Sequence, residues 1–456
     1  MTEASTKRLS PFPDLSVGGK GELCFGGQST AALIEKYGTP LYLLNEDRVR
    51  ANCRRFSAAA AAAFGKDIPV RLLYASKAAS FGRMYRIMAE EDMWCDVVSC
   101  GEIYTAVAAG FDIGHAFFHS NNKTDADIEF AMSQGIGYIV ADGADELLAI
   151  NAVAARRSQK QRVLLRLTPG IDPHTFEAVA TGKVDSKFGS AIETGDAEAN
   201  TRLALGLAGI ELCGFHCHVG SQIFDPTVFS RTAEIMLDFM HQMHARLGFV
   251  TKILDLGGGF GVPYTAAESY PNIGGIFGAV AEILRRACRA GGMPCPTVCF
   301  EPGRSIVADA GMTLYTAGSV KRLPGVRSYL SVDGGMTDNP RFALYRAPYT
   351  LLDADDPLCP ADECEPYSVV GRCCESGDIL QQDVLLPRTI HRGSHIACLT
   401  TGAYNYSMAS NYNRIPRPPI VMLSGGESYV AVRRESFADI AALDADADVT
   451  AEMLTH

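Results

Sequence analysis

The feature that most constrains the fold of this chain is an alternation of short apolar segments with helix-like stretches over its first two thirds. Each apolar segment is rich in β-branched or aromatic residues and ends in a polar or glycine-rich turn, which is typical of a strand. The stretches between them are rich in Ala and Leu, which favour helix. The sequence predicts eight strands, which contain residues 72–74, 96–98, 116–118, 138–140, 163–165, 213–215, 253–256 and 298–300.

Strands that alternate with helices pair in parallel, and eight such units in succession predict a closed β/α barrel. After Val307, Pro and Gly become frequent and short alternating runs predict antiparallel strands. We therefore expect an α/β fold in which a (β/α)8 barrel of residues 46–310 is followed by a C-terminal antiparallel β domain. That domain, a sandwich or barrel-like module, would comprise residues 1–45 and 311–456.

Composition excludes several classes of function. The chain has 456 residues and a formal net charge of −11, which argues against nucleic-acid binding because phosphate contacts need a basic face. No apolar run approaches the ~20 residues of a membrane span, and the polar start lacks the apolar core of a secretory signal, so we expect no membrane partner and a cytoplasmic location. The 14 cysteines are scattered through the chain, which favours reduced thiols.

The segment His216-Cys217-His218 suggests a metal site at first sight. On a strand, however, residues two apart share one face, so Cys217 would point away from the two histidines. We therefore expect no metal.

Several polar residues are predicted at the carboxyl ends of the barrel strands, where β/α barrels carry their catalytic groups. Lys77 follows the first strand and His119 follows the third. The others are Asn121 and Asn122 after the third strand, Arg166 at the fifth, His218 and Ser221 at the sixth, Gly257, Gly258 and Gly259 at the seventh, and Glu301, Gly303 and Arg304 at the eighth.

The three glycines after the seventh strand predict a phosphate site. Glycines in this position often serve only a tight turn, and with Val262 in place of the last glycine they do not form a dinucleotide-binding G-x-G-x-x-G. Their backbone N–H groups can nevertheless converge on one phosphate. Barrels commonly bind phosphate with the loops after strands seven and eight, where Arg304 also lies, and Ser221 could add a hydroxyl donor.

Lys77 becomes informative beside such a phosphate site. Most lysines are solvated surface residues, but a lysine at the inner end of a strand can form a Schiff base with an aldehyde cofactor. Glu301 could keep a pyridine nitrogen protonated, and His218 could stack on the ring. Together these groups predict pyridoxal 5′-phosphate (PLP) as the cofactor.

Ordered blocks between about residues 40 and 435 resemble the fold-type III PLP-dependent decarboxylases. These blocks are Tyr74-Ala75-Ser76-Lys77, His218-Val219-Gly220-Ser221, Gly257-Gly258-Gly259-Phe260, Glu301-Pro302-Gly303-Arg304 and Cys374-Glu375-Ser376-Gly377-Asp378. Further blocks resemble the branch of that family that acts on diaminopimelate. They are His174-Thr175, Thr181-Gly182-Lys183, Asp185-Ser186-Lys187-Phe188-Gly189, Asp333-Gly334-Gly335-Met336, Asp338-Asn339-Pro340-Arg341, Gly402-Ala403-Tyr404 and Ser407-Met408-Ala409-Ser410-Asn411-Tyr412-Asn413.

The resemblance implies a role for each matching residue. Lys77 would be the Schiff-base lysine, His218 the stacking residue, Glu301 the pyridinium partner and Cys374 the proton donor. Further cofactor contacts would come from Ser221, Gly257, Gly258, Gly259, Gly303, Arg304 and Tyr404. Substrate contacts would come from Arg304, Arg341, Tyr345, Glu375 and Tyr404.

The resemblance also implies an activity and an assembly. The activity would be decarboxylation of meso-2,6-diaminopimelate to L-lysine and CO₂, the last step of lysine biosynthesis. The assembly would be a homodimer with shared active sites, in which Cys374 and Glu375 come from the neighbouring subunit. The distal zwitterion of such an amino-acid substrate needs a cation and an anion, and Arg341 with Glu375 offers both.

Three other functions remain open at this stage. A related decarboxylase acting on ornithine, arginine or a carboxypolyamine would need only the anion. An amino-acid racemase of the same barrel family would share the lysine, but Glu301 counts against it because a racemase benefits from a weaker electron sink. A PLP protein without catalytic activity would have no reason to retain Lys77, Glu301 and Cys374 together.

Overall fold

The computed structural model describes residue 9 and residues 11–171 and 186–445. These residues form two compact units. The barrel unit comprises Arg50–Gly261 and Tyr270–Ile306. The β unit comprises Met1–Val49, Val262–Ser269 and Val307–His456, as far as these segments are described.

The described strands, in chain order, are β1 (Leu15–Val17), β2 (Leu23–Phe25), β3 (Gln28–Ser29), β4 (Leu41–Asn45), β5 (Val70–Ala75), β6 (Trp94–Val97), β7 (Ala116–Phe118), β8 (Tyr138–Ala141), β9 (Gln161–Thr168), β10 (Ser190–Ala191), β11 (Ile210–Cys217), β12 (Ile253–Asp255), β13 (Thr297–Phe300), β14 (Gly311–Leu323), β15 (Arg327–Val332), β16 (Leu351–Asp353), β17 (Cys364–Val370), β18 (Ile379–Pro387), β19 (His395–Leu399), β20 (Ile420–Ser424) and β21 (Glu427–Val432).

The described α-helices are α1 (Thr30–Tyr37), α2 (Glu46–Phe64), α3 (Gly82–Glu90), α4 (Cys100–Ala108), α5 (Asp125–Ser133), α6 (Ala144–Arg156), α7 (Asp196–Gly206), α8 (Pro226–Leu247), α9 (Ile273–Gly291), α10 (Arg304–Val307), α11 (Arg341–Tyr345) and α12 (Phe437–Ala441). Short 3₁₀ turns include Ser76–Ala78, directly after β5. Among these helices none combines the length and the apolar character needed to cross a bilayer.

The barrel unit is built on a closed parallel sheet. Its strand order is β9-β11-β12-β13-β5-β6-β7-β8, and β8 pairs with β9 to close the ring. A helix follows each of these strands in the chain, because the connection between parallel neighbours must return to the other end of the sheet. The predicted eight-stranded barrel is therefore confirmed. The two-residue strand β10 adds an extra pairing to β9.

The interior of the barrel is apolar along its strands and polar at their carboxyl ends. Its packed core consists of Leu73, Phe117, Tyr138, Val140, Leu164, Cys213, Ile253 and Cys299. The polar side chains at the strand ends are equally buried, with relative exposures of 0–4% for Asp96, His119, His216, Asp255 and Glu301. Close packing below fixes the positions of this polar layer.

The β unit has a mixed sheet centred on β14. This strand pairs antiparallel with β4, β15 and β19, so the N-terminal segment does contribute a strand to the module, as the sequence suggested. Two pairs, β15 with β17 and β4 with β20, are parallel. The expectation of a wholly antiparallel domain is thus only partly met. Long connections separate the partners of both parallel pairs, which frees them from the antiparallel geometry of a hairpin.

Candidate active site

Lys77 lies in the 3₁₀ turn that ends β5. Its Nζ is 3.6 Å from Oδ2 of Asp96 on β6, and its side chain is 40% exposed while that of Asp96 is fully buried. Burial raises the pKa of Asp96, and the neighbouring His119 and Lys77 oppose that rise. The ammonium group of Lys77 therefore lies beside a buried carboxyl group, while part of its side chain is exposed.

A second lysine of the barrel unit, Lys123, has a different environment. Its side chain is completely buried. Its ammonium group donates to the carbonyl of Val140 at 2.8 Å, to that of Ser120 at 3.0 Å and to Glu146 at 3.1 Å. Burial lowers the pKa of Lys123. Three acceptors thus hold the ammonium group of Lys123 inside the barrel unit, whereas the side chain of Lys77 is 40% exposed.

Glu301, directly after β13, is the centre of a buried polar cluster. Its Oε1 lies 2.9 Å from Nε2 of His119, and its Oε2 lies 3.5 Å from Nε2 of His216. Asp255, at the end of β12, belongs to the same cluster, whose nitrogen and oxygen atoms all lie within 4.8 Å of one another. The four residues follow or end four different barrel strands, so only closure of the barrel assembles them.

Electrostatics divides these groups into charged and neutral ones. Burial raises the pKa of Asp255 well above its usual range, and burial lowers the pKa of His216 to about 3. Burial alone would raise the pKa of Glu301, but its contacts with His119 and His216 hold it well below the usual range. The closer of these two contacts is that of His119, at 2.9 Å, against 3.5 Å for His216.

His218 and the three glycines of the β12 loop fit against each other. The amide of Gly258 donates to Nδ1 of His218 at 3.3 Å, which leaves the ring proton on Nε2. Burial lowers the pKa of His218 well below its usual value, so the ring is neutral and held in one orientation. A Cβ at Gly258 would lie 2.0 Å from the Glu301 carbonyl oxygen, and one at Gly259 2.2 Å from that of Gly220. Side chains are thus excluded here.

Two of the three glycine amides predicted to bind phosphate are hydrogen-bonded to side chains of the barrel unit. The amide of Gly257 donates to Oδ1 of Asp255 at 2.9 Å, and that of Gly258 is bonded to His218, so both are committed within the barrel unit. Phosphate binding would fall instead to Gly259, Ser221 and Arg304. Arg304 is 8% exposed and its Nη2 donates to Oγ of Ser221 at 3.0 Å.

The predicted substrate residues lie in the β unit. Arg341 begins α11 and is 6% exposed. Its Nη1 donates to the hydroxyl of Tyr349 at 2.7 Å, and its guanidinium lies 4.8 Å from the ring centroid of Tyr264. Tyr345, on the same helix, is half-buried. The sequence analysis did not single out Tyr349 or Tyr264, because nothing local marks them as neighbours of an arginine.

Cys374 and Glu375 occupy an exposed loop between β17 and β18. The amide of Cys374 donates to Oδ1 of Asn413 at 2.8 Å. Behind it, the buried carboxylate of Asp378 accepts from the amides of Cys373 at 2.8 Å and Met336 at 2.6 Å. The predicted block 374–378 therefore has two parts. Cys374 and Glu375 are exposed, and Asp378 is buried and connects their loop to the segment after β15 through its hydrogen bond with Met336.

Tyr404 has a backbone φ of +64°, a left-handed conformation that non-glycine residues seldom adopt. Such backbone strain is often found where a side chain is held for binding. The tyrosine is half-buried on the segment after β19. The blocks His174-Thr175, Thr181-Gly182-Lys183 and Asp185 lie outside the described residues.

The barrel unit thus brings together Lys77, His218, Ser221, Gly257, Gly258, Gly259, Glu301, Gly303 and Arg304, while the β unit carries Arg341, Tyr345, Cys374, Glu375 and Tyr404. Sequence reasoning singled out His119 by its position at a strand end, but it did not connect His119, His216 or Asp255 with Glu301. His216 and Asp255 each interrupt an apolar strand with a polar side chain, which is the signal that could have found them.

The barrel residues fit PLP. Both carboxylate oxygens of Asp96 are buried without a hydrogen-bond partner among the described residues, and Oε1 of Glu301 is buried 2.9 Å from the ring nitrogen of His119. Buried polar atoms of this kind call for a ligand or a proton. The glycine loop, closed to side chains, lies beside a hydroxyl and a guanidinium suited to phosphate.

A parallel barrel with a lysine after its first strand and a buried carboxylate after its last defines the class of pyridoxal-dependent decarboxylases, and the chain belongs to that family. Residues 47–308 match the family described as "Pyridoxal-dependent decarboxylase, pyridoxal binding domain". The relatives found among curated proteins carry the more particular name diaminopimelate decarboxylase. That of Bacillus methanolicus is 43% identical over 91% of this chain and 95% of its own length. That of Bacillus subtilis is 42% identical over 93% and 95%.

Solved structures give the same result. The diaminopimelate decarboxylase of M. jannaschii in complex with L-lysine has a TM-score of 0.88 at 29% identity, covering 97% of this chain and 99% of that one. A lysine/ornithine decarboxylase of Vibrio vulnificus complexed with putrescine has a TM-score of 0.72 at 25% identity, covering 86% and 97%.

Proposed function

We infer that this chain decarboxylates meso-2,6-diaminopimelate to L-lysine and CO₂, with PLP as its cofactor. The observation that carries the inference is Glu301, buried directly after the last barrel strand with its Oε1 2.9 Å from His119, in one unit with Lys77 and the glycine loop. Similarity to diaminopimelate decarboxylases over nine tenths of the chain supports the choice of reaction.

Each barrel residue has a part in holding the cofactor. Lys77 would bind its aldehyde carbon, His218 would cover one face of its ring and Glu301 would hold a proton on the ring nitrogen. The bound cofactor supplies a protonated ring that accepts the electron pair released when the carboxylate leaves. Because the contacts with His119 and His216 hold the pKa of Glu301 below its usual range, its carboxylate would need little reorganisation to stabilise that positive charge.

Substrate choice is assigned to Arg341 and Glu375. The guanidinium of Arg341 is held by Tyr349 and Tyr264, two neutral rings, so a substrate carboxylate would be its natural counter-charge. Glu375 would receive the distal ammonium group. An ornithine-type substrate lacks the distal carboxylate and would leave the buried Arg341 without that counter-charge, which is costly. Arg341 therefore favours diaminopimelate over ornithine, arginine and a carboxypolyamine as the substrate.

Proton return to the substrate carbon is assigned to Cys374, with Lys77 as the other candidate. The thiol lies on an exposed loop, which supports a homodimer in which Cys374 and Glu375 reach the active site of the neighbouring subunit. Exposed reactive groups on a loop that Asp378 fixes in place are suited to such a contact.

The function is tested by a product assay with purified protein and PLP. The substrates are meso-, LL- and DD-diaminopimelate beside ornithine and arginine, and the readouts are CO₂ and the amino-acid product. We expect CO₂ and L-lysine from the meso isomer. Release of CO₂ from ornithine or arginine in preference to it would replace diaminopimelate as the substrate, and racemisation without CO₂ would replace the reaction class.

A further inference from the structure

Asp255 and Glu301 form a pair of buried carboxyl groups on neighbouring strands, β12 and β13. Asp255 is 0% exposed and Glu301 4%. Their oxygens lie within 4.8 Å of each other and of the ring nitrogens of His119 and His216. Two carboxylates that share a site of low dielectric do not both ionise, so the pair retains a proton.

Hydrogen bonds indicate where that proton resides. Asp255 accepts the amide of Gly257 on Oδ1 at 2.9 Å, whereas its Oδ2 is buried without a hydrogen-bond partner among the described residues. Glu301 instead has its two oxygens next to two ring nitrogens. A proton on Asp255 Oδ2 would let that atom donate toward Glu301, which belongs to the same cluster of ligand atoms within 4.8 Å of one another. A proton on Glu301 would instead leave the charge on Asp255, whose Oδ2 has no hydrogen-bond partner among the described residues.

The other charged or titratable groups that act on the pair favour the same assignment. Asp96 lies on the far side of His119, with 3.8 Å between its Oδ1 and the ring Nε2, and adds negative charge near Asp255. Arg166, which acts on Asp96 and on His216, lies in β9. Burial raises the pKa of Asp255 while the histidine contacts lower that of Glu301.

We propose that Asp255 is a positioning residue that remains protonated and donates from Oδ2 to the Glu301 carboxylate, while His119 holds the opposite side of that carboxylate. Glu301 is then charged and fixed in orientation whether or not a cofactor is bound. The role rests on the proposed function, since a fixed charge at Glu301 matters because a pyridinium nitrogen would pair with it.

The proton itself is tested on the cofactor-free protein. Infrared difference spectra of wild type minus Asp255→Asn should contain a carboxylic-acid carbonyl band that shifts in D₂O. The corresponding difference against Glu301→Gln should show loss of an ionised carboxylate band. If Asp255→Asn instead removes an ionised carboxylate band, or if the acid band disappears in Glu301→Gln alone, the proposal is overturned.

A second measurement compares two replacements of Asp255 in the holoenzyme. Asparagine keeps a donor at the position of Oδ2 and an acceptor for Gly257, so Asp255→Asn should bind PLP within about threefold of wild type. Asp255→Ala removes the donor to a charged group and should lower kcat by about tenfold or more. Equal losses in both variants would mean that Asp255 acts as an anion, against the proposal.

The two levels of inference fail separately. If wild-type protein shows no PLP absorbance and no CO₂ release, the proposed function fails while the infrared result still decides the proton. If Asp255→Ala does not fold, the spectra of wild type and Asp255→Asn remain decisive, and thermal unfolding of Asp255→Asn reports its stability.

Discussion

At the scale of single residues, the barrel unit contains two lysines near its strand ends, and their environments differ in the way that matters for covalent chemistry. The ammonium group of Lys77 lies 3.6 Å from the carboxylate of Asp96, and its side chain is 40% exposed. Lys123 is enclosed by Val140, Ser120 and Glu146. A nucleophilic amine must reach its electrophile, and the side chain of Lys77 is 40% exposed whereas that of Lys123 is completely buried.

Borohydride reduction of the protein with PLP, followed by peptide mapping, should therefore place the pyridoxyl group on Lys77 and leave Lys123 unmodified. The Lys77→Ala variant should take up no label under the same conditions. A pyridoxyl group found on Lys123 would show that the buried ion pair opens and that our assignment is wrong.

Arg341 allows a prediction about specificity. Arg341→Ala should lower kcat/KM for diaminopimelate by roughly a hundredfold or more. Removing the guanidinium that pairs with a desolvated carboxylate costs about 3 to 5 kcal/mol. The ratio of kcat/KM for diaminopimelate over lysine, tested as a slow substrate without the distal carboxylate, should fall with it. Tyr349→Phe, which removes only the 2.7 Å hydrogen bond, is the matched control and should reduce the ratio by much less. An unchanged ratio in Arg341→Ala would assign the specificity elsewhere.

At the scale of elements, β12 and the loop after it contact several groups of the candidate site. Asp255 ends the strand, Gly257 caps it and Gly258 contacts both His218 and the backbone of Glu301. The segment lacks side chains where it passes Glu301. Its glycines are required because two backbones approach closely here. A side chain added at Gly258 or Gly259 would clash with a backbone carbonyl oxygen, and no change of rotamer could remove that clash.

Gly258→Ala should consequently destabilise the protein by about 1 to 3 kcal/mol, the usual cost of overpacking, and weaken PLP binding because Glu301 would be displaced. The added Cβ would stand 2.0 Å from a carbonyl oxygen. Gly278→Ala in α9, where the Cβ meets nothing within 4 Å, is the control and should be neutral or slightly stabilising. Thermal unfolding and PLP titration of both variants provide the measurement. Equal stabilities would show that the backbone yields at Gly258.

The sequence predicts an element well when the element follows from neighbouring residues, and poorly when it depends on residues far apart in the chain. The barrel strands follow from local alternation, so each predicted segment overlaps a strand from β5 to β13. The parallel pairing of β4 with β20 joins residues far apart in the chain, and no local pattern encodes it. The same holds at the site. Lys77 and Glu301 were found by strand-end position, whereas the contact of Glu301 with His119 exists only after the ring closes.

At the scale of the whole molecule, the proposed homodimer predicts complementation. Lys77→Ala and Cys374→Ala subunits should each be inactive or nearly so, but mixing them under conditions that exchange subunits should restore about a quarter of the wild-type activity, since half the dimers would be hybrid and one of their two sites would be intact. Mixing Lys77→Ala with the double variant Lys77→Ala/Cys374→Ala is the control and should restore nothing. No recovery, with hybrids shown to form by mass spectrometry, would mean that each active site is complete within one chain.

The central sheet of the β unit has a consequence for synthesis. Strand β4 is made before the barrel, whereas its partners β14 and β20 are made after it. During synthesis, every barrel strand leaves the ribosome before β14 and β20, the two strands that pair with β4. The barrel can therefore close while both edges of β4 are still unpaired. An unpaired apolar strand is a liability for aggregation, and four of the five residues of β4 are apolar. Slow or interrupted translation beyond Val307 is therefore the stage at which this chain is most exposed to misassembly.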